Sequence, residues 1–127
     1  MTYTFGERSE GKLVGVHIHL VNVVRRALEL STVDFAVVEG LRTKERQREL
    51  VASGASKTLN SRHLTGHAVD LAPYIAGEIR WDWPPFHRIA TAMKGAAREL
   101  GVEVVWGGDW TNFKDGPHWE LSRKVYP

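Results

Sequence analysis

Two short segments constrain this chain more than anything else in it: Ser61-Arg62-His63-Leu64-Thr65-Gly66-His67-Ala68-Val69-Asp70 and, far downstream, Asp115-Gly116-Pro117-His118-Trp119-Glu120. His63, Asp70 and His118 offer two imidazoles and one carboxylate, a donor set that suits Zn2+ and leaves the fourth tetrahedral position free. An open position is what separates a catalytic metal from a structural one. Such a site requires a fold that brings ligands together from segments that are separately rigid.

The rest of the pattern supplies those segments. From His17 to Leu30 the apolar residues Ile18, Val21, Val24 and Leu28 recur at spacings of three and four, the stripe of an amphipathic helix. Phe35-Ala36-Val37-Val38 reads as a buried strand that turns at Glu39-Gly40. A second helix starts near Thr43, an acceptable N-cap, and ends before Gly54; its mixed charges mark a solvated face. Residues 54–65 read as loop, and His67 to Tyr74 as a strand with Ala68 and Asp70 on one face and Val69 and Leu71 on the other. A third helix runs from Pro84 to Leu100 and stops at Gly101; Val102 to Val105 is a strand, Trp106 to Pro117 a long loop, and His118 to Leu121 a last strand. The expected class is α+β: a small antiparallel sheet with about three helices, without a regular βαβ rhythm.

Alternation also sorts the site. Asp70 shares a face with the small Ala68, which leaves room beside it, while His67 points the other way. His118 and Glu120 share a face, with Trp119 and Leu121 toward the core. Glu120 is thereby placed to hydrogen-bond a ligand histidine and fix its tautomer, a contact whose loss typically weakens metal affinity or activity by about 10- to 100-fold. Two neutral histidines and one carboxylate leave Zn2+ with net positive charge, and its water can then ionise with a pKa of about 7. Asp115, in the Gly-Pro turn before His118, is placed to take that proton and deliver it to a leaving amine. Arg42, after the Gly40 turn, is a fixed cation for a carbonyl oxygen or carboxylate. Asp109 is the competing carboxylate, and the shorter tether to His118 favours Asp115.

Composition narrows the function classes. The 127 residues, 43% hydrophobic, suit one globular domain that needs no staple. Absence of cysteine removes thiolate sites, disulfides and cysteine nucleophiles. Seventeen Lys and Arg against fifteen Asp and Glu give a net charge of +2, too weak a bias to argue for nucleic acid. No signal segment stands in the first residues and no apolar run approaches the roughly 20 residues of a membrane span, so the expectation is a cytoplasmic product without membrane insertion. His17, His19 and His87 read as structural or surface groups. Of the five tryptophans, most are expected in the core, with Trp106 or Trp110 available to line a substrate groove. Gly107-Gly108 lacks a phosphate-loop context.

With these motifs, together with Val38-Glu39-Gly40-Leu41-Arg42-Thr43, Arg46-Gln47, Gly54-Ala55-Ser56-Lys57 and Trp106-Gly107-Gly108-Asp109-Trp110, the chain resembles the D-alanyl-D-alanine carboxypeptidase and dipeptidase class of zinc peptidases. Within that class it is most similar to the L-alanyl-D-glutamate peptidases used as phage endolysins. The resemblance implies His63, Asp70 and His118 as zinc ligands, Asp115 as acid/base and Arg42 as a substrate or transition-state contact; Trp119 stands where phenylalanine is common. It further implies cleavage of the peptidoglycan stem peptide between L-Ala and D-Glu; the length is expected to hold no separate cell-wall-binding domain, and a monomer is expected. A holin would pass that enzyme from the host cytoplasm to the wall. A D-alanyl-D-alanine carboxypeptidase or dipeptidase, and a non-catalytic zinc-containing binding module, remain as alternatives.

Overall fold

The core is built where helical and strand periodicities meet. A computed structural model describes Tyr3 to Pro127. Its helices are α1 (Glu7–Leu13), α2 (Ile18–Leu30), α3 (Lys44–Ala52) and α4 (Trp83–Leu100). The strands are β1 (Phe35–Glu39), β2 (Ala68–Ile75), β3 (Glu78–Ile79), β4 (Val104–Trp106) and β5 (His118–Leu121). The main sheet is antiparallel in the order β1-β2-β5-β4, and β3 pairs with β2. Helices α2 and α4 pack on each other, and Leu20, Val24, Ile89 and Met93 join Val69, Leu71, Trp119 and Leu121 in one buried cluster. Full burial of side chains of this size contributes about 1.5–3 kcal/mol each.

The α+β expectation holds, with four helices where three were expected. Helix α1 escaped the periodicity because its segment, Glu-Arg-Ser-Glu-Gly-Lys-Leu, buries only Ser9 and Leu13. In α2 the buried face is Leu20, Val21, Val23, Val24, Ala27 and Leu28, so Ile18, expected in the stripe, lies outside it at 61% exposure. His17 is the N-cap and its ring accepts from the His19 backbone N–H at 3.0 Å. The β2–β3 hairpin was not expected at all. Its loop is Ala76-Gly77, both at positive φ (54° and 80°), a geometry for which Asn-Gly or Asp-Gly is the usual sequence sign.

Strand β4 begins later than the apolar run suggests. Gly101 takes the left-handed conformation at φ 69° and ends α4, and Val102 N–H closes back on the Ala97 carbonyl at 2.9 Å. Val102 is therefore part of the helix stop rather than of the sheet.

Candidate metal centre and cleft

Strand register does most of the assembly. In the β2–β5 ladder Asp70 lies directly opposite His118, Ala68 opposite Glu120 and Val69 opposite Trp119. Directly opposed residues project to the same face with their Cβ atoms about 4.5–5.5 Å apart. Asp70 and His118 therefore meet on one face, with Glu120 and the small Ala68 beside them, while Val69 and Trp119 enter the core. His63 arrives from the 3₁₀ turn Arg62–Thr65, whose N-cap Ser61 accepts from His63 N–H at 3.2 Å. Gly66 ends that turn at φ 75°, and a Cβ there would lie 2.4 Å from the Gly15 carbonyl oxygen.

One donor atom from each of His63, Asp70 and His118 lies within 4.8 Å of the other two. The opposite ring nitrogens are already engaged. His63 Nδ1–H donates to the Gly40 carbonyl at 2.9 Å, which leaves Nε2 at 3.2 Å from Asp70 Oδ1. His118 Nε2–H donates to Glu120 Oε1 at 2.8 Å, which leaves Nδ1 at 3.5 Å from the same Asp70 oxygen. The ring nitrogens that face Asp70 are thus fixed by partners outside the cluster, as metal-binding imidazoles require. Gly40 is needed for its part because a Cβ there would lie 1.9 Å from the Lys12 carbonyl oxygen.

The electrostatics of the cluster favour positive charge. Burial penalises the Asp70 carboxylate, yet the facing imidazoles of His118 and His63 outweigh it and hold the carboxyl well below the usual range. Burial likewise opposes a charge on His118, but its bonds to Asp70 and Glu120 raise the imidazole to about 9. The charge of a protonated His118 offsets only one of the two carboxylates it touches, Asp70 and Glu120, so the cluster favours further positive charge. The donor set and the tautomers fit Zn2+ or a similar ion.

The cluster opens into a cleft of about 490 Å³, bounded by the loop after α3, the Arg62–Thr65 turn and the loop between β4 and β5. Asp115 lines it; Asp109 does not, and pairs instead with Lys94 at 2.8 Å. Burial, then the Asp70 charge, raises the Asp115 carboxyl above its ordinary value. Its turn is pinned from below: Asp115 N–H donates to the Gly107 carbonyl at 3.0 Å, and His118 N–H to the Asp115 carbonyl at 3.2 Å. A Cβ on Gly107 would come within 2.4 Å of the Asp115 carbonyl oxygen, so only glycine lets this turn pack.

Arg42 reaches the cleft wall with most of its donors engaged. Nε and Nη2 fork onto Glu39 at 2.6 and 2.7 Å, Nη1 donates to Gln47 Oε1 at 2.7 Å, and Nη2 also lies 3.5 Å from Asp70 Oδ2. Gln47, 1% exposed, then donates to Ser56 Oγ and the Thr58 carbonyl, tying the cleft loop to α3. Sequence reading missed the roles of Glu39, Gly40, Gln47 and Gly107. The one available sign was Gln47, a neutral amide among the charged residues of α3.

The other candidates fall away from the cleft. His67 is half-buried and meets His17, ring centroids 5.7 Å apart, with its Nδ1 on Thr65 Oγ1; it bonds to no ligand. His87 lies between Trp83 and Trp106. Trp106 and Trp119 are buried and stacked at 5.7 Å, but Trp81 and Trp83 are 60% and 43% exposed, so the expectation of a mostly buried set is corrected. Both flank the start of α4, where the core is already filled by Phe86 and Ile89. Trp110 lines the cleft, 5.1 Å from the His118 ring, whereas Trp106 donates Nε1–H to the Gly116 carbonyl behind the turn.

An ion held by His63, Asp70 and His118 would face a cleft that contains a carboxylate with a raised pKa. That exposure is what a hydrolytic site needs and a structural staple does not, and the class that the fold and cleft define is a hydrolase on an α+β fold. Residues 1–126 match the family model described as phage L-alanyl-D-glutamate peptidase. The L-alanyl-D-glutamate peptidase of Escherichia phage T5 is 41% identical over 130 residues, covering 99% of this chain and 94% of the relative. The peptidoglycan L-alanyl-D-glutamate endopeptidase CwlK of Bacillus subtilis is 33% identical, covering 70% of this chain and 61% of the relative. The crystal structure of the Serratia marcescens L-Ala D-Glu endopeptidase ChiX superposes with a TM-score of 0.92 at 54% identity, covering 97% of this chain and 92% of that one. The chain belongs to the phage L-alanyl-D-glutamate peptidase family.

Proposed function

We propose that this chain is a zinc-dependent endopeptidase that hydrolyses the L-alanyl-D-glutamate bond of the peptidoglycan stem peptide, with His63, Asp70 and His118 holding the ion and Asp115 as general base. The observation that carries this reading is the cluster of three donor atoms within 4.8 Å at a cleft that also presents Asp115. Zinc supplies Lewis acidity and makes water nucleophilic near neutral pH. The proton work belongs to Asp115. Its raised carboxyl accepts a proton from the attacking water and returns it to the leaving nitrogen of D-Glu as the carbon–nitrogen bond breaks.

Arg42 acts as a fixed cation on the cleft wall. Four of its five N–H donors are directed at Glu39, Gln47 and Asp70, so it steadies Asp70 and offers the developing oxyanion its field and one remaining N–H. Glu120 and the Gly40 carbonyl keep the two imidazoles in their ligand tautomers. One chain supplies every group, so the active form is a monomer, with residues 1–127 working as one peptidase domain and no nucleic acid as partner. The host cytoplasm makes the enzyme, and a holin gives it access to the wall; no described helix is long and apolar enough to cross a membrane.

The test is digestion of Gram-negative murein by the purified protein, with and without chelator, read by mass spectrometry. Stem peptides beginning at D-Glu, lost under chelation and restored by Zn2+, are the expected products. Release of terminal D-Ala instead would assign a D-alanyl-D-alanine carboxypeptidase, and no release from zinc-loaded protein would leave a binding module.

A further inference from the structure

The cleft carries a charge pattern that hydrolysis itself does not use. Glu39, Asp70, Asp115 and Glu120 line it together with Arg42, Lys57, Arg62 and Arg123. These side chains balance one another, so a bound dication leaves the cleft positive and suited to an anionic substrate. Three of the cations already have partners. Arg42 is forked onto Glu39, Arg123 Nε lies 3.7 Å from Glu120 Oε2, and Arg62 Nη2 donates to the carbonyls of Leu121 and Tyr126.

Lys57 is different. Neither Lys57 nor Arg62 forms an ion pair among the described residues, but Arg62 is buried against main-chain carbonyls, whereas Lys57 is exposed and its Nζ rests 4.8 Å from the centroid of the Phe113 ring. Lys57 belongs to the loop after α3, Phe113 to the loop between β4 and β5, and both line the cleft. Phe113 has φ 51°, a left-handed conformation that bulky residues rarely adopt, and its ring is 46% exposed. The strained backbone thus keeps an aromatic face in the cleft instead of burying it. An exposed cation–π contact is weaker than a charge-assisted hydrogen bond, so an arriving carboxylate can draw the ammonium off the ring.

We propose that Lys57 is a specificity residue that binds the free α-carboxylate of the D-glutamyl residue on the leaving side of the scissile bond. This inference rests on the L-alanyl-D-glutamate reading above. In the stem peptide that glutamate continues through its γ-carboxyl, so its α-carboxylate stays ionised. It hangs from the same carbon as the scissile nitrogen, which makes it the nearest substrate anion to the reacting bond. Phe113 parks the ammonium when the cleft is empty and borders the bound peptide when it is full.

The experiment compares two acylated tripeptides, L-Ala-γ-D-Glu-L-Lys and its counterpart with the α-carboxylate amidated, using zinc-loaded full-length chain. Wild type is expected to prefer the carboxylate peptide by roughly three- to tenfold in kcat/KM, expressed in KM, because a contact made equally in ground and transition states leaves kcat alone. Lys57→Met is expected to bring that ratio to about one, and Lys57→Arg to keep most of it. Lys57 is exposed, and zinc stoichiometry together with circular dichroism checks that the variants fold. Equal rates on the two peptides for wild type, or an unchanged ratio in Lys57→Met, would overturn the assignment while leaving the peptidase reading intact. A third peptide, amidated at the lysyl carboxylate, would also overturn it if Lys57→Met abolished discrimination there instead. Failure of wild type to cut any of the three would remove the peptidase reading and this inference with it.

Discussion

Among the described residues two histidine clusters have similar spacing, and one of them offers the donor set that a metal ion could use. His63 and His118 have ring centroids 5.1 Å apart; on the outer surface, His17 lies 4.9 Å from His19 and 5.7 Å from His67. The first pair is buried and shares Asp70, with the far nitrogen of each ring held by Gly40 or Glu120. Among the described residues the second group has no carboxylate in hydrogen-bond contact. His17 Nδ1 accepts the His19 N–H as a helix cap, His19 Nδ1 meets the Tyr126 hydroxyl, and His67 Nδ1 meets Thr65. Burial, a shared anion and preset tautomers, rather than proximity of imidazoles, are what set the first group apart.

The contrast extends to protonation. His118 is raised to about 9, whereas burial, then the charges of Arg62 and His17, lowers His67 below its ordinary 6.5. His118 attracts a proton and His67 rejects one.

The sharpest way to break this comparison is to remove one imidazole from each cluster. His63→Ala is expected to lose both the ion and hydrolysis, a loss well beyond the roughly 100-fold that an outer hydrogen-bond partner costs. His17→Ala should retain one zinc per chain by atomic absorption. Asp115→Asn comes next: turnover should fall by about 10²–10⁴-fold with zinc content unchanged, separating proton transfer from metal binding. Equal activity of Asp115→Asn and wild type on the same murein would remove Asp115 from the reaction.

Glu120→Gln should weaken zinc affinity by about 10- to 100-fold. It should also alter the pH dependence. Zinc must displace the His118 proton, so wild-type affinity should climb by roughly tenfold per pH unit up to about pH 9; with Glu120 neutralised the plateau should arrive at lower pH. Competition titrations against a chelator across pH give both numbers.

The smallest effects belong to the surface cluster. His17→Ala removes a cap, at about 1 kcal/mol of stability in a denaturant titration. His67, with a folded pKa below its unfolded one, contributes stability fully above about pH 6.5 and loses it as pH falls through the lower folded value. His67→Gln should therefore flatten the decline of thermal stability on acidification.

Which parts were legible follows from which interactions are local. The pairing of Ala68 with Asp70 and of His118 with Glu120 could be read because strand alternation is set by backbone geometry alone. The helix from Pro84 to Leu100 could be read because its stop, Gly101, is a conformational requirement of one residue. By contrast, α1 has little periodic apolar content, and the Ala76-Gly77 turn lacks the residues that usually announce it. The Gly40 carbonyl that orients His63 stands 23 residues before it in the chain, and nothing in either segment announces the bond. The tryptophans misled because aromatic side chains supply area to a core or to a surface alike, and only packing decides which.

The sequence by itself determined the donor atoms, their faces on two strands and the family to which the chain belongs, because residue identity and pleat direction are local properties. Tertiary structure alone decided that Asp70 stands opposite His118, that each imidazole has its outer nitrogen occupied, and that the Lys57 ammonium rests on the Phe113 ring at the cleft. Those facts depend on register and on contacts between segments remote in the chain. Such contacts form only when burial of the common core fixes where every strand and turn must lie.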